Sequence, residues 1–355
     1  MSFIKNKIVE DDILDIINSD LDWNKLSNKK VLITGANGFL GKYLVATLLK
    51  LNEIKNSNIS VIATVRKNNK NSWIQNLDNN GFNLKIIRCD LGKEIPEIDD
   101  DLSYIMHAAS QASPKFYEVD PVGTILPNVV GTNNLLTKFH RSKNREGFIF
   151  ISSSEVYGDT YNIANLSELD MGIIDPMNIR SCYSESKRCG ENLCASWNHQ
   201  FNIPTKVIRP FHTYGPGLRE DDGRVFAEFA YNIFNNKNIQ MQSDGLSRRS
   251  FCYVSDAIKG IFNVTFNGKS SEAYNLANPN GDMSIKELAF MLVDLFPEKN
   301  LQVDISQKIK SLNQDQKFNE SLPNIEKISE LGWVPQISPE DGFFRMIKSL
   351  EQKFN

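Results

Sequence analysis

Tyr183 and Lys187 stand four residues apart in Tyr183-Ser184-Glu185-Ser186-Lys187, a spacing that puts both side chains on one face of a helix. An ammonium in that position favours phenolate, which makes a tyrosine a usable base near neutral pH. Upstream, Ser152-Ser153-Ser154-Glu155 closes an apolar run that begins at Phe148. Hydroxyls at the carboxyl end of a parallel strand stand where such sheets bind ligands. A third pattern, Thr34-Gly-Ala-Asn-Gly-Phe-Leu-Gly, sets Gly35, Gly38 and Gly41 between a buried run and an apolar helix. Such a turn brings backbone amides against a pyrophosphate and directs the positive end of a helix at it. Each pattern alone is common. In this order, with about 150 residues between the first and the last, they point to dinucleotide-dependent redox chemistry.

These groups need a scaffold that ends its strands on one side. Apolar runs at Lys30–Thr34, Ile59–Val65, Leu84–Ile87, Tyr104–His107, Phe148–Ser152 and Thr205–Ile208 alternate with helical segments such as Tyr43–Leu51 and Asn128–Phe139. The alternation predicts an α/β fold: a doubly wound parallel (Rossmann) sheet with a smaller, interleaved C-terminal substrate-binding domain. The expected division gives residues 29–208, with a return near 251–277, to dinucleotide binding, and 209–250 and 278–355 to the substrate. Residues 1–28 read as a helical extension, with Ile13, Leu14, Ile16, Ile17 and Leu21 near helical spacing. Its expected role is a packing arm or a dimer contact.

On this layout the cofactor wall comprises Gly35, Asn37, Gly38, Phe39, Leu40 and Gly41 of the turn, with Arg66, Asp90, Leu91, Ala108, Ala109 and Lys187. An acid at the end of the second strand would hold the ribose 2′-hydroxyl of NAD. Here that end reads Thr64-Val65-Arg66-Lys67, so NADP stays open beside NAD, with Arg66 as the clamp or merely a solvated strand end. Asp90 is placed to meet the adenine edge, and His107 to shape the pocket rather than act as an acid.

Composition excludes other classes. A net charge of -3 gives no electrostatic case for nucleic acid or an anionic membrane. The N-terminus carries acids through its apolar positions, unlike a signal peptide, and no apolar stretch reaches the roughly 20 residues of a membrane helix. A cytoplasmic protein is expected. The five cysteines form no C-x-x-C pair and have no histidine at ligand spacing, so no metal site is expected and the thiols read as reduced packing residues.

The glycine turn, the serine strand and Tyr183 with Lys187 resemble the extended short-chain dehydrogenase/reductase (NAD-dependent epimerase/dehydratase) family over roughly residues 29–290. Within it, several stretches resemble the UDP-glucuronate decarboxylases: Ala112-Ser113-Pro114, Ser153 to Asp159, Arg180 to Arg188, Thr213 to Pro216, Asp222 to Val225 and Arg249-Ser250-Phe251. The resemblance implies a homodimer and specific roles. Tyr183 would take the proton of the sugar 4-hydroxyl, and Lys187 would bind the nicotinamide ribose and hold the tyrosine pKa down. Ser153, in place of the family's usual threonine, would bond the reacting oxygen, and Glu155 would sit near C5. Arg249 matches the arginine that faces the sugar carboxylate, its bland alternatives being an ion pair with Asp256 or a phosphate contact, with Arg248 as its rival. Arg224, Ser113 and Ser154 would contact substrate. His212 stands where the family often has asparagine and is given no role.

The chemistries rank by what they demand. Oxidation at C4 makes a C5 carboxylate a β-keto acid that loses carbon dioxide unaided. A 4,6-dehydratase benefits from an acid to expel the 6-hydroxyl. The glucose-type dehydratases place an aspartate where Ser154 stands, although mannose-type enzymes also resemble Ser-Glu here. A 4-epimerase needs only the tyrosine, the lysine and room for the sugar to turn. A non-catalytic dinucleotide sensor would typically lose the tyrosine or the lysine. Decarboxylation is therefore expected first, dehydration second, epimerisation or simple reduction third.

Overall fold

The computed structural model describes residues 3–66, 73–74, 77, 83–98, 101–160, 163–305 and 321–352. Lys67 and part of the polar tail lie outside them. The main sheet contains β1 (Lys30–Thr34), β2 (Ser60–Val65), β3 (Leu84–Arg88), β4 (Tyr104–His107) and β5 (Gly147–Ile151), then β7 (Thr205–Pro210) and β11 (Glu272–Leu276). The short β6 (Asn165–Leu166) lies outside it. The order across the sheet is β11-β7-β5-β4-β1-β2-β3, and every neighbouring pair is parallel. The chain runs outward from β1 to β3, then returns to β4 on the other side of β1. That reversal opens a crevice at the carboxyl ends of β1 and β4, where doubly wound sheets take their ligands. Helices cover both faces, which is why β5, Gly-Phe-Ile-Phe-Ile, is buried at every position.

Helix α1 (Lys7–Ile17) is capped by Asn6, whose side chain accepts from the Ile8 and Val9 amides. Ile16 and Ile17 are fully buried within the chain, so the extension packs on its own fold; Leu21 falls beyond the end of the helix. Helix α2 (Phe39–Lys55) follows the glycine turn. Between α3 (Pro121–Leu126) and α4 (Thr132–Arg141) the backbone passes through a π-helical turn, Pro127–Gly131. Pro127 has no N–H for the ordinary ladder, which loosens the winding there. Helix α5 (Cys182–Phe201) starts at the residue before Tyr183 and ends at Asn202, in the left-handed conformation.

Beyond β7 the chain builds a second layer. β8 (His212–Tyr214) pairs with β10 (Arg248–Tyr253), which pairs with β12 (Asp282–Ser284); β9 (Ile239–Met241) pairs with β13 (Val303–Ile305), and β14 (Leu322–Pro323) with β6. Helices α6 (Val225–Phe234), α7 (Val254–Asn267), α8 (Ile285–Asp294), α9 (Glu326–Ser329) and α10 (Pro339–Glu351) complete it. Only β11 of the segment 251–277 joins the main sheet, while residues 248–253 stay with β8 and β12. One hydrophobic core runs unbroken from Val31 and Ile33 through Phe251 to Phe343. No helix among the described residues is long and apolar enough to cross a membrane.

Candidate active site

The glycines make the turn sterically possible. Gly35 has φ +69°, and a Cβ on it would meet the Ala109 Cα at 2.7 Å; one on Gly41 would meet the Gly35 carbonyl oxygen at 2.2 Å. Gly38 caps α2, its amide donating to the Gly35 carbonyl at 2.8 Å. Asn37, Phe39 and Leu40 complete the turn, partly exposed. Across it, Ala108 and Ala109 follow β4, and the Ala109 amide donates to Thr34 Oγ1 at 3.1 Å. Thr34 Oγ1 lies 2.7 Å from His107 Nδ1, and His107 Nε2 lies 3.1 Å from the Pro127 carbonyl. Burial, then the Lys187 charge, pushes His107 down to about 3, so it is neutral and ties β1 and β4 to the π turn. Asp90 accepts from the Gly92 amide at 3.3 Å, and Leu91 is buried. Arg66, at the end of β2, donates to Gln111 Oε1 at 3.3 Å.

Helix α5 presents Tyr183 and Lys187 beneath β5, both buried. Lys187 Nζ donates to the Ile151 carbonyl at 2.6 Å and lies 5.7 Å from the centre of the Tyr183 ring. The Ser153 hydroxyl lies close enough to the Tyr183 phenol to favour its ionised form, and it caps the short turn Ser154–Tyr157. The protein's own groups raise the Tyr183 pKa, through burial first and the Glu155 charge second. Lys187 is itself pushed down to about 7 by burial, and it spends its ammonium on the Ile151 carbonyl.

Glu155 is the meeting point of the cleft. Water reaches one edge of it, but protein crowds its other sides, and that desolvation raises its carboxyl above the ordinary range. Tyr117 reaches one carboxylate oxygen at 3.5 Å and Ser184 the other at 3.4 Å. Arg180, Arg224 and Arg249 lie close enough for their charges to act on it. Tyr117 stacks on Tyr183, ring centres 5.1 Å apart and 12° from parallel. Sequence reasoning did not single out Tyr117, Arg180 or Ser184. Tyr117 and Arg180 belong to short turns without periodicity, and their only signal was lying inside or just after stretches that carried the resemblance.

The arginines separate by their partners. Arg248 pairs with Asp282 at 2.6 Å and Glu287 at 3.2 Å, a structural role. Arg224 is held by both carboxylate oxygens of Asp222. Arg249 makes no ion pair among the described residues; it donates to the Arg248 carbonyl at 2.6 Å, and Asp256 instead accepts from the Gln336 and Ile337 amides. Burial lowers the Arg249 pKa and Glu155 raises it back. Ser113 donates to the Asp222 carbonyl, closing the loop beside Arg224, and Ser154 lies half-buried next to Glu155. His212 sits near Arg224 and Arg249, neutral, its pKa pushed down to about 3 by burial first. Of the cysteines, Cys189 is exposed on α5, contrary to its reading as a packing residue; the other four are buried.

Comparison with known proteins agrees with this geometry. The model of the NAD dependent epimerase/dehydratase family matches residues 31–277. UDP-glucuronic acid decarboxylase 6 of Arabidopsis thaliana is 34% identical over 322 residues, 89% of this chain and 87% of the relative. The structure is similar to that of UDP-glucuronic acid 4-epimerase from Bacillus cereus in complex with UDP-glucuronic acid and NAD, with a TM-score of 0.73, 27% identity, and coverage of 91% of this chain and 99% of that one. The fold is also that of UDP-N-acetylglucosamine 4-epimerase from Methanobrevibacter ruminantium M1, with a TM-score of 0.75 at 23% identity over 92% of this chain and 99% of that one. With the family model spanning the glycine turn, the serine strand and the Tyr183–Lys187 helix, this chain belongs to the NAD dependent epimerase/dehydratase family.

Proposed function

We propose that the chain is a cytoplasmic UDP-glucuronate decarboxylase, which oxidises the sugar at C4, releases the C5 carboxylate as carbon dioxide and reduces the ketone again. The observation that carries this reading is Arg249, a cation beside Glu155 with no carboxylate of its own among the described residues. A sugar carboxylate supplies the missing partner.

The residues present fit NAD, because Gly35 and Gly41 let the turn close against the Ala108–Ala109 backbone and on itself ahead of α2, where a Cβ at either would clash with backbone. The glycine turn, Asp90, Leu91, Ala108, Ala109 and Lys187 would hold it, with Arg66 nearest the adenosine ribose. When bound, NAD takes and returns a hydride at C4, and its positive ring favours a nearby phenolate.

Tyr183 takes the 4-hydroxyl proton, with Ser153 orienting the oxygen. Arg249 seats the carboxylate, and the C4 ketone accepts the electron pair left by carbon dioxide, so no metal or added acid is required for that step. Glu155, its carboxyl raised and open to the cleft, then delivers the proton that replaces carbon dioxide at C5. Arg224, Ser113 and Ser154 bound the substrate on its nucleotide and sugar sides. The assembly that goes with this reading is a homodimer through the α4 and α5 face, where Val130 and Cys189 stay exposed. A second reading, 4-epimerisation of the same UDP-glucuronate, is favoured by the Bacillus cereus structure.

Proton NMR tests both. The enzyme is incubated with UDP-glucuronate and, separately, with GDP-mannose and dTDP-glucose, with NAD and then NADP. A new pentose anomeric signal from UDP-glucuronate alone supports decarboxylation. Conversion to a second hexuronate with the carboxyl retained selects epimerisation. A 4-keto-6-deoxy methyl doublet from a neutral hexose, with UDP-glucuronate untouched, overturns both readings in favour of dehydration.

A further inference from the structure

The N-terminal arm packs against α2 and the turn at Gly217. Phe3 is almost wholly buried, its ring meeting the edge of Tyr43 at 5.2 Å and of Trp73 at 5.4 Å, with Lys42 Nζ 5.5 Å above it. Lys42 and Tyr43 belong to α2, whose first turn carries the glycine cradle. On the opposite side lies Gly217, with φ +88°, where a Cβ would come within 2.7 Å of the Phe3 ring. Phe3 and Gly217 are therefore plug and slot.

The turn at Gly217 leads directly into the loop that ends in Arg224. In that loop Asp221 and Asp222 accept from Lys115 and Ser113, and Asp222 holds the Arg224 guanidinium. The plug thus sets the distance between the cofactor helix and the loop that bounds the substrate. The arm behind it is anchored from several directions. Asn6 donates to the Ser349 carbonyl of α10 at 2.9 Å. The buried Asp12 accepts from the hydroxyls of Tyr43 at 3.3 Å and Tyr253 at 2.8 Å, which tie it to α2 and β10. Lys259 of α7 pairs with Asp15 at 2.7 Å.

We propose that Phe3 is a positioning residue for the nucleotide end of the substrate, acting through Gly217 on the loop that carries Arg224; this rests on the nucleotide-sugar reading above. Without the plug the loop gains room and loses its register on α2. The reacting groups on β5 and α5 keep theirs, because they do not touch the arm.

The test uses the full chain loaded with NAD. UDP, with GDP and dTDP as comparators, is titrated calorimetrically into wild type, Phe3→Ala, Phe3→Leu and Gly217→Ala, and steady-state constants are measured beside them. Phe3→Ala is expected to weaken the preferred nucleotide about tenfold and raise KM in parallel, with kcat within about twofold. Phe3→Leu, which keeps an apolar plug and serves if Phe3→Ala does not fold, should retain most of the affinity. Gly217→Ala, strained in backbone and driven into the ring, should lose as much as Phe3→Ala. Unchanged nucleotide affinity in all three variants, whatever their melting temperatures, overturns the proposal, as does a fall in kcat at constant KM. If wild type binds none of the three nucleotides, the nucleotide-sugar reading itself fails, a result distinct from equal binding by wild type and variants.

Discussion

In the proposed reaction Tyr183 carries the proton chemistry, against surroundings that raise its pKa. Burial and Glu155 hold the phenol protonated, and Lys187 is committed to the Ile151 carbonyl. Removing only the hydroxyl, in Tyr183→Phe, should lower kcat by about 10²–10⁴-fold. The stack on Tyr117 survives, and NAD affinity measured by fluorescence titration should stay within about threefold. A comparable loss of NAD affinity would place Tyr183 in cofactor binding instead. Arg249 makes a sharper prediction. Arg249→Ala should reduce kcat/KM for UDP-glucuronate about 100-fold or more while a neutral UDP-hexose binds almost as before. Equal losses on charged and neutral substrates would remove the carboxylate assignment. Tyr183 could be named from its four-residue spacing to Lys187, and Arg249 only from the resemblance of Arg249-Ser250-Phe251 to the decarboxylases. Tyr117 could not be named, since what singles it out is a ring stack between a turn and α5 that no spacing encodes.

At the scale of elements, the glycine turn and α5 do most of the positioning, and each works by excluding side-chain bulk or fixing register. Gly35→Ala combines a left-handed backbone with a methyl 2.7 Å from the Ala109 Cα. It should destabilise by about 2–4 kcal/mol and lower NAD affinity at least about tenfold. Gly332, also left-handed at φ +87° but with nothing within 4 Å, is the matched control. Gly332→Ala should cost about 1 kcal/mol and leave NAD binding alone. Urea unfolding and NAD titration on both variants separate backbone strain from contact with the cradle. β1, β2, β4, β5 and β7 were readable because burial on both faces leaves continuous apolar runs, whereas β11, Glu272–Leu276, was not picked out as a strand. β10 was misplaced by the same apolar signal: Phe-Cys-Tyr-Val is as apolar as a central strand, yet it is buried in a second sheet beside β8. The π turn was invisible as well, because Pro127 alters the helix without ending it.

Across the whole molecule, the N-terminal arm joins parts that sequence reading had divided into separate domains. Periodicity identified its helix, but long-range partners such as Tyr253 and Ser349 leave no local trace. Its buried carboxylate also makes stability depend on pH. Burial raises Asp12 from 3.8 to about 7, against the hydrogen bonds of Tyr253 and Tyr43 and the charge of Arg345, with Asp15 adding repulsion. Between those values the folded chain keeps a proton that the unfolded chain releases. The contribution is therefore full in acid and is lost as pH rises through the folded value. Asp12→Asn removes that slope. From about pH 5 to about pH 8 the variant should gain on wild type by on the order of 1–4 kcal/mol, read from urea midpoints at each pH. Parallel curves would mean that Asp12 is ionised throughout. The bond from Asn6 to the Ser349 carbonyl has a consequence for synthesis as well. Helix α1 can pack on α2 through Tyr43 early, but the bond to Ser349 closes only when α10 has been made, and β7 remains an open sheet edge until β11 arrives. A growing chain therefore presents the bare edge of β7 while the residues between it and β11 are made, a natural handle for a chaperone that binds extended segments.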